Sequence, residues 1–422
     1  MYRIFAALLA VSSCASIAQA QMAASSPSSS PPYTLERALI SAGATSPNLE
    51  AADAGVRAAS AARTVAGLRP NPEVQVQVEN VGGSGLYRGT QSAETTTGVA
   101  LPIELGGKRS ARIAVADSRG TRARIEVAIT QADLRERVTL AYIAAVAAER
   151  RVGVARMLAE FADRGFRAAS TRVTAGAGSP IEQQRADVER VNASVALERA
   201  IREAAVAREN LARLIGEPIV GELDTEWFDR VGTYGPTMPA SAQGTLIVAA
   251  AQADVATADA QVRLARSQRI PDVTLSAGAR RLSATNDMAA VFGVSIPFPL
   301  FNNGQAAVSQ AESERLQVDA RRRVTLIDTE QAIASVQADL ANAAATARSA
   351  GGPALAAAME AARIARIGYA QGKFGQLDLL QAERTLADTN AAFIDALIGY
   401  HEAGARLARL TTPAPALSEA AQ

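Results

Sequence analysis

Histidine, cysteine and lysine are almost missing from this 422-residue chain. It has one His, one Cys and, among its 43 basic residues, only the lysines Lys108 and Lys373. With His401 and Cys14 alone, no His/Cys cluster can hold a transition metal, so no metal site is expected. No Ser/His/Asp set stands in a context that would make a triad, and GVALPIELGGK lacks the Walker spacing of a phosphate loop. The chain reads as a non-enzyme without a cofactor. Charge of one sign is also missing: 43 basic against 42 acidic residues leave no field to attract nucleic acid. Aromatics are 4% while apolar residues are 48%, many of them alanine. That balance suits long, closely packed helices better than a bulky core.

The N-terminus, MYRIFAALLAVSSCASIAQAQ, has the form of a bacterial export signal spanning residues 1–20. Arg3 is its positive end, Ile4 to Val11 the apolar stretch, and Ala18-Gln19-Ala20 a small-x-small cleavage site. The apolar stretch is too short for a helical span. Cys14 has two readings, a residue discarded with the signal or a lipidated first residue after Val11-Ser12-Ser13. Residues 21–32, QMAASSPSSSPP, have the composition of a disordered linker.

The rest of the chain repeats itself. NPEVQVQVEN at 71–80 answers IPDVTLSAGA at 270–279, with Pro72 and Pro271 separated by 199. Gly98 and Gly293 are 195 apart, and TAGAGSPIEQQRADVE at 174–189 answers AQGKFGQLDLLQAERT at 370–385 with a shift of 196. Such a constant period marks a duplication. The repeats run over 33–216 and 244–411, joined by a connector at 217–243 and followed by a tail at 412–422. Each predicts a helix (Pro47 to Leu68; Gly244 to Gln268), a hairpin (about 72–104; 271–298), a long helix (about 109–175; 305–371) and a return helix (about 180–215; 376–411). A 67-residue helix is about 100 Å long. Leu379, Leu386, Phe393, Tyr400 and Leu407 keep a seven-residue step, the signature of an antiparallel coiled coil. SAGGPAL at 349–355 predicts a kink or loosened turn, because Pro353 lacks a backbone donor. His401, on the last heptad helix, reads as a packing or surface residue.

In EVQVQVEN, Val74, Val76 and Val78 point one way while Gln75, Gln77 and Glu79 point the other. Two plans satisfy that pattern: strands with lipid on one side and water on the other, or hairpins packed together in a soluble periplasmic coiled-coil protein. The export signal and the length of the helices favour the first. Four strands are too few to close a barrel, and an open edge cannot face lipid, so the membrane plan requires several chains.

Residues 68–109, LRPNPEVQVQVENVGGSGLYRGTQSAETTTGVALPIELGGKR, combine RPNPE, VENxGGSG, SAETT and PIELGGKR in order. With the duplicated plan, this resembles the TolC-type outer-membrane efflux channels, and within them the cobalt–zinc–cadmium (Czc-type) subunits, over about residues 33–411. The resemblance implies a mainly α fold with a β-barrel part. There would be four transmembrane strands per chain and a trimeric twelve-stranded barrel on a long periplasmic α-helical tunnel. It implies an outer-membrane location, a homotrimer, contact with outer-membrane lipid, and docking to a periplasmic adaptor and an inner-membrane resistance-nodulation-division type pump. It implies export of divalent cations such as cobalt, zinc, cadmium or nickel; a drug exporter or a type I secretion system would use the same architecture.

The resemblance places an adaptor-docking tip at Gly176, Ala177, Gly178 and Ser179 and at Gly372, Lys373, Phe374 and Gly375. It places a periplasmic aperture at Glu182, Asp378, Tyr369 and Gln381. Gln381 departs from the family's second acid and Phe374 from its arginine. From the residues alone, Glu182 and Asp378 are also first-turn acids that stabilise a helix N-terminus, with Ser179 placed as an N-cap. At the strand-to-helix joints, Pro102 and Pro297 are expected to end pairing. Gly106 and Gly107, and Asn303 and Gly304, are expected to turn the backbone into the helix. Phe298 and Phe301 are placed to sit at the lipid–water interface.

Overall fold

The computed structural model describes residues 32–232 and 241–415. The export signal, Cys14, nearly all of the Ser/Pro-rich linker, part of the connector and the end of the tail lie outside the described residues.

The first repeat contains α1 (Leu35–Thr45), α2 (Pro47–Ala66), β1 (Glu73–Glu79), β2 (Glu94–Ile103), α3 (Lys108–Thr174) and α4 (Pro180–Ile215). A short α5 (Glu226–Asp229) lies in the connector. The second repeat contains α6 (Leu246–Gln268), β3 (Val273–Leu282), β4 (Asp287–Ser295), α7 (Gln305–Ser349), α8 (Leu355–Ala370) and α9 (Gln376–Leu410). A π-helical turn, Ala350–Ala354, joins α7 to α8 and contains Pro353. The wider turn accommodates the missing donor without ending the helix. Phe393 of α9 lies against it, where a Cβ on Gly351 would come within 2.3 Å of the ring.

The two hairpins join into one antiparallel sheet in the order β1-β2-β3-β4. Its register puts Val74, Val99, Ala277 and Phe292 in one cross-strand row, with Leu101, Leu275 and Val294 in the next, all on one face. The opposite face carries the rows Gln75–Gly98–Gly278–Val291 and Gln77–Thr96–Arg280–Ala289. Gly98 and Gly278 face each other so closely that a Cβ on Gly278 would lie 2.5 Å from the Thr97 oxygen. Arg280 ties the outer end of this polar face across three strands. Its guanidinium reaches Glu79 at 3.1 Å, Glu94 at 2.7 Å and the Thr96 hydroxyl at 3.0 Å.

Below the sheet, α2 packs on α3, α3 on α6 and α6 on α7. The helices thus keep the order of the strands they continue, and the wall runs unbroken from sheet to helices.

The largest buried core is a collar around the middle of α3, and sequence patterning gave no sign of it. Tyr33, Tyr142, Phe228, Leu211, Ile215 and Leu397 meet there. The buried Tyr142 hydroxyl donates to the Tyr33 carbonyl at 2.7 Å and accepts from the Asp224 N–H at 3.0 Å. Burial pushes the Tyr142 phenol well above its ordinary pKa. Glu217 accepts from the Tyr33 hydroxyl at 2.7 Å and from the Ser41 hydroxyl at 2.8 Å. The connector is therefore tied into the core of the first repeat. Helix α1, also unforeseen, presents the buried Ala38 and Ala42 to the same cluster.

Candidate tunnel tip and membrane boundary

At the end of the helices farthest from the sheet, α3 turns into α4 and α8 into α9 by the same device. Gly176 and Gly372 both adopt φ of 71°, left-handed values that favour glycine. The Ala177 N–H donates to the Arg172 carbonyl at 2.9 Å, and the Lys373 N–H donates to the Gly368 carbonyl at 2.8 Å. Donors and acceptors in the two turns differ by 196, so the duplication extends to individual hydrogen bonds.

The side chains then diverge. Phe374 lies over Gly368, where a Cβ would approach its ring to 2.1 Å. Its counterpart Gly178 has no side chain. The Asp378 carboxylate accepts from the Gly375 N–H at 3.0 Å, which caps α9. Ser179 makes no side-chain cap, contrary to expectation; its carbonyl instead accepts from the Glu182 N–H at 2.9 Å. Glu182 is a half-buried acid in the first turn of α4. Tyr369, on the last turn of α8, lies under the Arg172 guanidinium at 5.9 Å, linking the two repeats. Gln381 lines an open groove of about 340 Å³ between α4 and α9 with Val188, Leu377 and Leu380. Arg384 and Glu189 form an ion pair across that groove. Asp378 and Gln381 sit one turn apart on α9, while Glu182 opens the other return helix.

At the opposite end lie the strand-to-helix joints. Gly106 and Gly107 take φ of 71° and 72°, and Gly304 takes 74°. The Asn302 side chain accepts from the Gly304 N–H at 3.1 Å, and Asn303 accepts from the Gln305 N–H at 3.0 Å. Pro102 ends only one of its two ladders. Pairing with β1 stops at Ala100, whereas pairing with β3 runs on past Thr274, opposite Pro102, to Ile103. Pro297 lies beyond the last β4 pair, Ser295 with Thr274.

The first joint is locked by charge. Arg112 holds Glu104 through two hydrogen bonds and also reaches the Leu68 carbonyl at 3.1 Å. Lys108 pairs with Asp272 at 2.7 Å, and Asp272 also accepts from the Leu105 N–H at 3.0 Å. The second joint is apolar and bare, with Phe298 85% and Phe301 98% exposed.

His401 lies in the collar, packed between Trp227 at 4.3 Å and Phe228 at 5.3 Å. Its Nε2–H donates to the Phe228 carbonyl at 2.8 Å, because a carbonyl can only accept. Among the described residues no group of three His, Cys, Asp or Glu is placed to hold a metal ion, and no helix is long and apolar enough to cross a membrane.

Known proteins share this plan. The "Outer membrane efflux protein" family model matches residues 39–217 and 242–412. The chain is 32% identical over 392 residues to the cobalt-zinc-cadmium resistance protein CzcC of Cupriavidus metallidurans, covering 90% of each. It is 28% identical over 341 residues to the pyoverdine export outer membrane protein OpmQ of Pseudomonas aeruginosa, covering 72% of this chain and 69% of the other. Among solved structures, the CusC channel superposes with a TM-score of 0.75 at 15% identity, covering 90% and 92% of the two chains. The outer membrane protein VceC of Vibrio cholerae gives 0.74 at 19% identity, covering 90% and 97%. A tip of paired helical turns, a sheet with an apolar face and the sequence match over both repeats agree: the chain belongs to the outer membrane efflux protein family, the TolC-type channels of the bacterial outer membrane.

Proposed function

We propose that three copies of the chain close a twelve-stranded barrel and form the exit duct of a tripartite efflux system. The observation that carries this reading is a four-stranded sheet with an exposed apolar face and two open edges, β1 and β4. Lipid cannot satisfy the backbone groups of an open edge, so in a membrane those edges must find strands of other copies. The duct conducts passively. A periplasmic adaptor seats on the tip turns at 176–179 and 372–375, where Phe374, Ile181 and Leu377 offer exposed apolar contact. An inner-membrane resistance-nodulation-division type pump supplies the driving force.

The cargo of this reading is divalent heavy-metal cations, supported by the similarity to a cobalt-zinc-cadmium resistance protein. Three copies of Glu182 and Asp378 around a narrow axis would favour cations, with Tyr369 and Gln381 beside them at the aperture. Metal selectivity itself then resides in the pump, since this chain offers no transition-metal cluster among its described residues. The likeness to a pyoverdine exporter supports a second reading, the same duct serving an organic cargo.

Deletion of the gene, followed by growth on zinc, cobalt, cadmium and organic toxins, separates the two. Sensitivity confined to the metals is expected, and sensitivity confined to organic compounds would overturn the metal assignment. Outer-membrane fractions should contain an oligomer that dissociates on heating in detergent; a soluble monomer would end the duct reading.

A further inference from the structure

The two repeats are unequally covered within one chain. Helix α6 is flanked by α3 and α7 and buries eight of its 23 residues, among them Leu246, Val248 and Val262. Its counterpart α2 has α3 on one side only, and none of its 20 residues is buried. At the other end of the row, α7 leaves Leu316, Val324 and Ile327 exposed. Above these helices, β1 and β4 are the free edges. The contact that covers α6 and pairs β2 with β3 inside the chain therefore has a missing twin, α7 with β4 on one side and α2 with β1 on the other.

The duplication fixes how that twin is made. Gly107 and Gly304 are the left-handed residues that open α3 and α7, and they are 197 apart. Pro72 and Pro271, just before β1 and β3, are 199 apart. These two offsets also reproduce the hairpins: the pair Glu73–Ala100 maps onto Asp272 and Pro297, which continue the ladder of Thr274–Ser295 by two residues. The proline equivalent to Pro102 is thus Pro299, and the shift of 195 between Gly98 and Gly293 does not describe the paired strands.

Applied to the β2–β3 ladder, in which Ile103 faces Val273 and Leu101 faces Leu275, the offsets set Leu300 opposite Val74 and Phe298 opposite Val76 on the next copy. Ile296 follows opposite Val78.

We infer that a second copy of the chain seats its β4, the apolar segment after it and α7 against β1 and α2 of the first, in this register. The inference rests on the proposed closure of a barrel from several copies.

Two independent features agree with the register. Continued by the two-residue alternation of β1 and β4, all six positions fall on the apolar face, whereas a slip of one residue would oppose valines with prolines and polar groups. The backbone donors agree as well. The Ser283 N–H donates to the Ala93 carbonyl at 2.8 Å. By the antiparallel alternation, odd residues of β2 therefore bond to β3 and even residues to β1. Carried across by 197, the even residues of β4 face the neighbouring copy. Pro297 and Pro299 then point their missing donors toward β3, beyond its last pair. Ile296 and Phe298 keep N–H groups for Val78 and Val76. The Leu300 N–H, which here turns back to the Phe298 carbonyl at 2.9 Å, must exchange that bond for Val74 as the bare apolar joint becomes an added stretch of strand.

Cysteine pairs test this directly. Residues directly opposite in an antiparallel pair have Cα atoms about 5.5 Å apart, inside the range a disulfide accepts. Val76→Cys with Phe298→Cys in one chain should give, on oxidation, covalent oligomers that survive boiling. Val76→Cys with Ile296→Cys, or with Leu300→Cys, should give several-fold less, and each single variant controls for Cys14. All variants are first checked for the heat-sensitive oligomer. If that oligomer is present and the strongest crosslink falls on a shifted pair, the register is wrong while the duct reading stands. If the unsubstituted chain forms no oligomer, both fall.

Discussion

Arg366 of α8 grips Glu383 of α9 through two hydrogen bonds, one of them 2.8 Å long, and the Glu383 side chain is only 2% exposed. The equivalent positions in the first repeat, Ser170 and Asp187, make no such clasp; Asp187 pairs with Arg190 three residues along its own helix. The second tip hairpin is therefore held by a charge clasp that the first lacks.

Arg366→Ala leaves a buried carboxylate without its partner. The cost expected is about 2 kcal/mol, below the usual range for a fully buried pair because Arg366 is half exposed. Adding Glu383→Leu to Arg366→Ala should recover much of that loss, since the orphaned charge is then gone. Thermal unfolding followed by helical circular dichroism in detergent checks both. Equal melting temperatures for the single and double variants would show that the clasp is not the cause.

Gly278→Val should abolish the sheet. A Cβ there would lie 2.5 Å from the Thr97 oxygen and 2.8 Å from the Gly98 Cα, and both are backbone atoms that cannot swing away. The heat-sensitive oligomer should disappear from gels. Gly120→Ala is the contrasting change, in the interior of α3 with nothing within 4 Å of the added methyl. It should leave the oligomer intact and stabilise the helix by about 0.5–1 kcal/mol.

Sequence reading was most informative where a local period carried the structure. The alternation of Val74, Val76 and Val78 with Gln75 and Gln77 is visible in β1 itself, and the tip turns share one glycine-led spacing. The collar was hidden because its bonds join distant segments. Tyr142 reaches back 109 residues to Tyr33, and Tyr33 reaches forward 184 to Glu217. No window of sequence contains both ends. Ser179 takes the N-cap position as its type predicts, but its carbonyl and not its side chain takes the Glu182 N–H, a choice between two local acceptors that residue type does not decide. Between β2 and β4, matching glycine to glycine gives a shift of 195, whereas the helix starts that follow these strands give 197. Identity misled there because Gly293 and Gly98 meet different neighbours.

The hold of the collar on α9 should weaken in acid. Burial keeps the His401 imidazole below its ordinary pKa, against a smaller opposing effect of the Phe228 carbonyl. The unfolded chain therefore binds the proton more readily than the folded one. The stability tied to neutral His401 is complete above about pH 6.5 and is lost as pH falls toward its lowered folded value. Limited proteolysis near 217–232 should accelerate over that window. His401→Phe should flatten the dependence while losing about 1 kcal/mol with the hydrogen bond to Phe228. An unchanged pH profile in the variant would assign the effect to other groups.

Gly176 and Gly372 separate docking from assembly. Neither site is crowded, since an added Cβ would meet nothing within 4 Å. Substitution therefore acts through the backbone alone, where a left-handed residue with a side chain costs about 1–2 kcal/mol. A β-branched residue meets that cost fully, and asparagine meets less of it. Gly176→Ile and Gly372→Ile should distort the two turns while the sheet, at the other end of the helices, still assembles. Metal resistance should fall with normal amounts of heat-sensitive oligomer in the outer membrane, and Gly176→Asn or Gly372→Asn should restore most of it. If resistance stays at the unsubstituted level in both isoleucine variants, the turns are not where the adaptor seats.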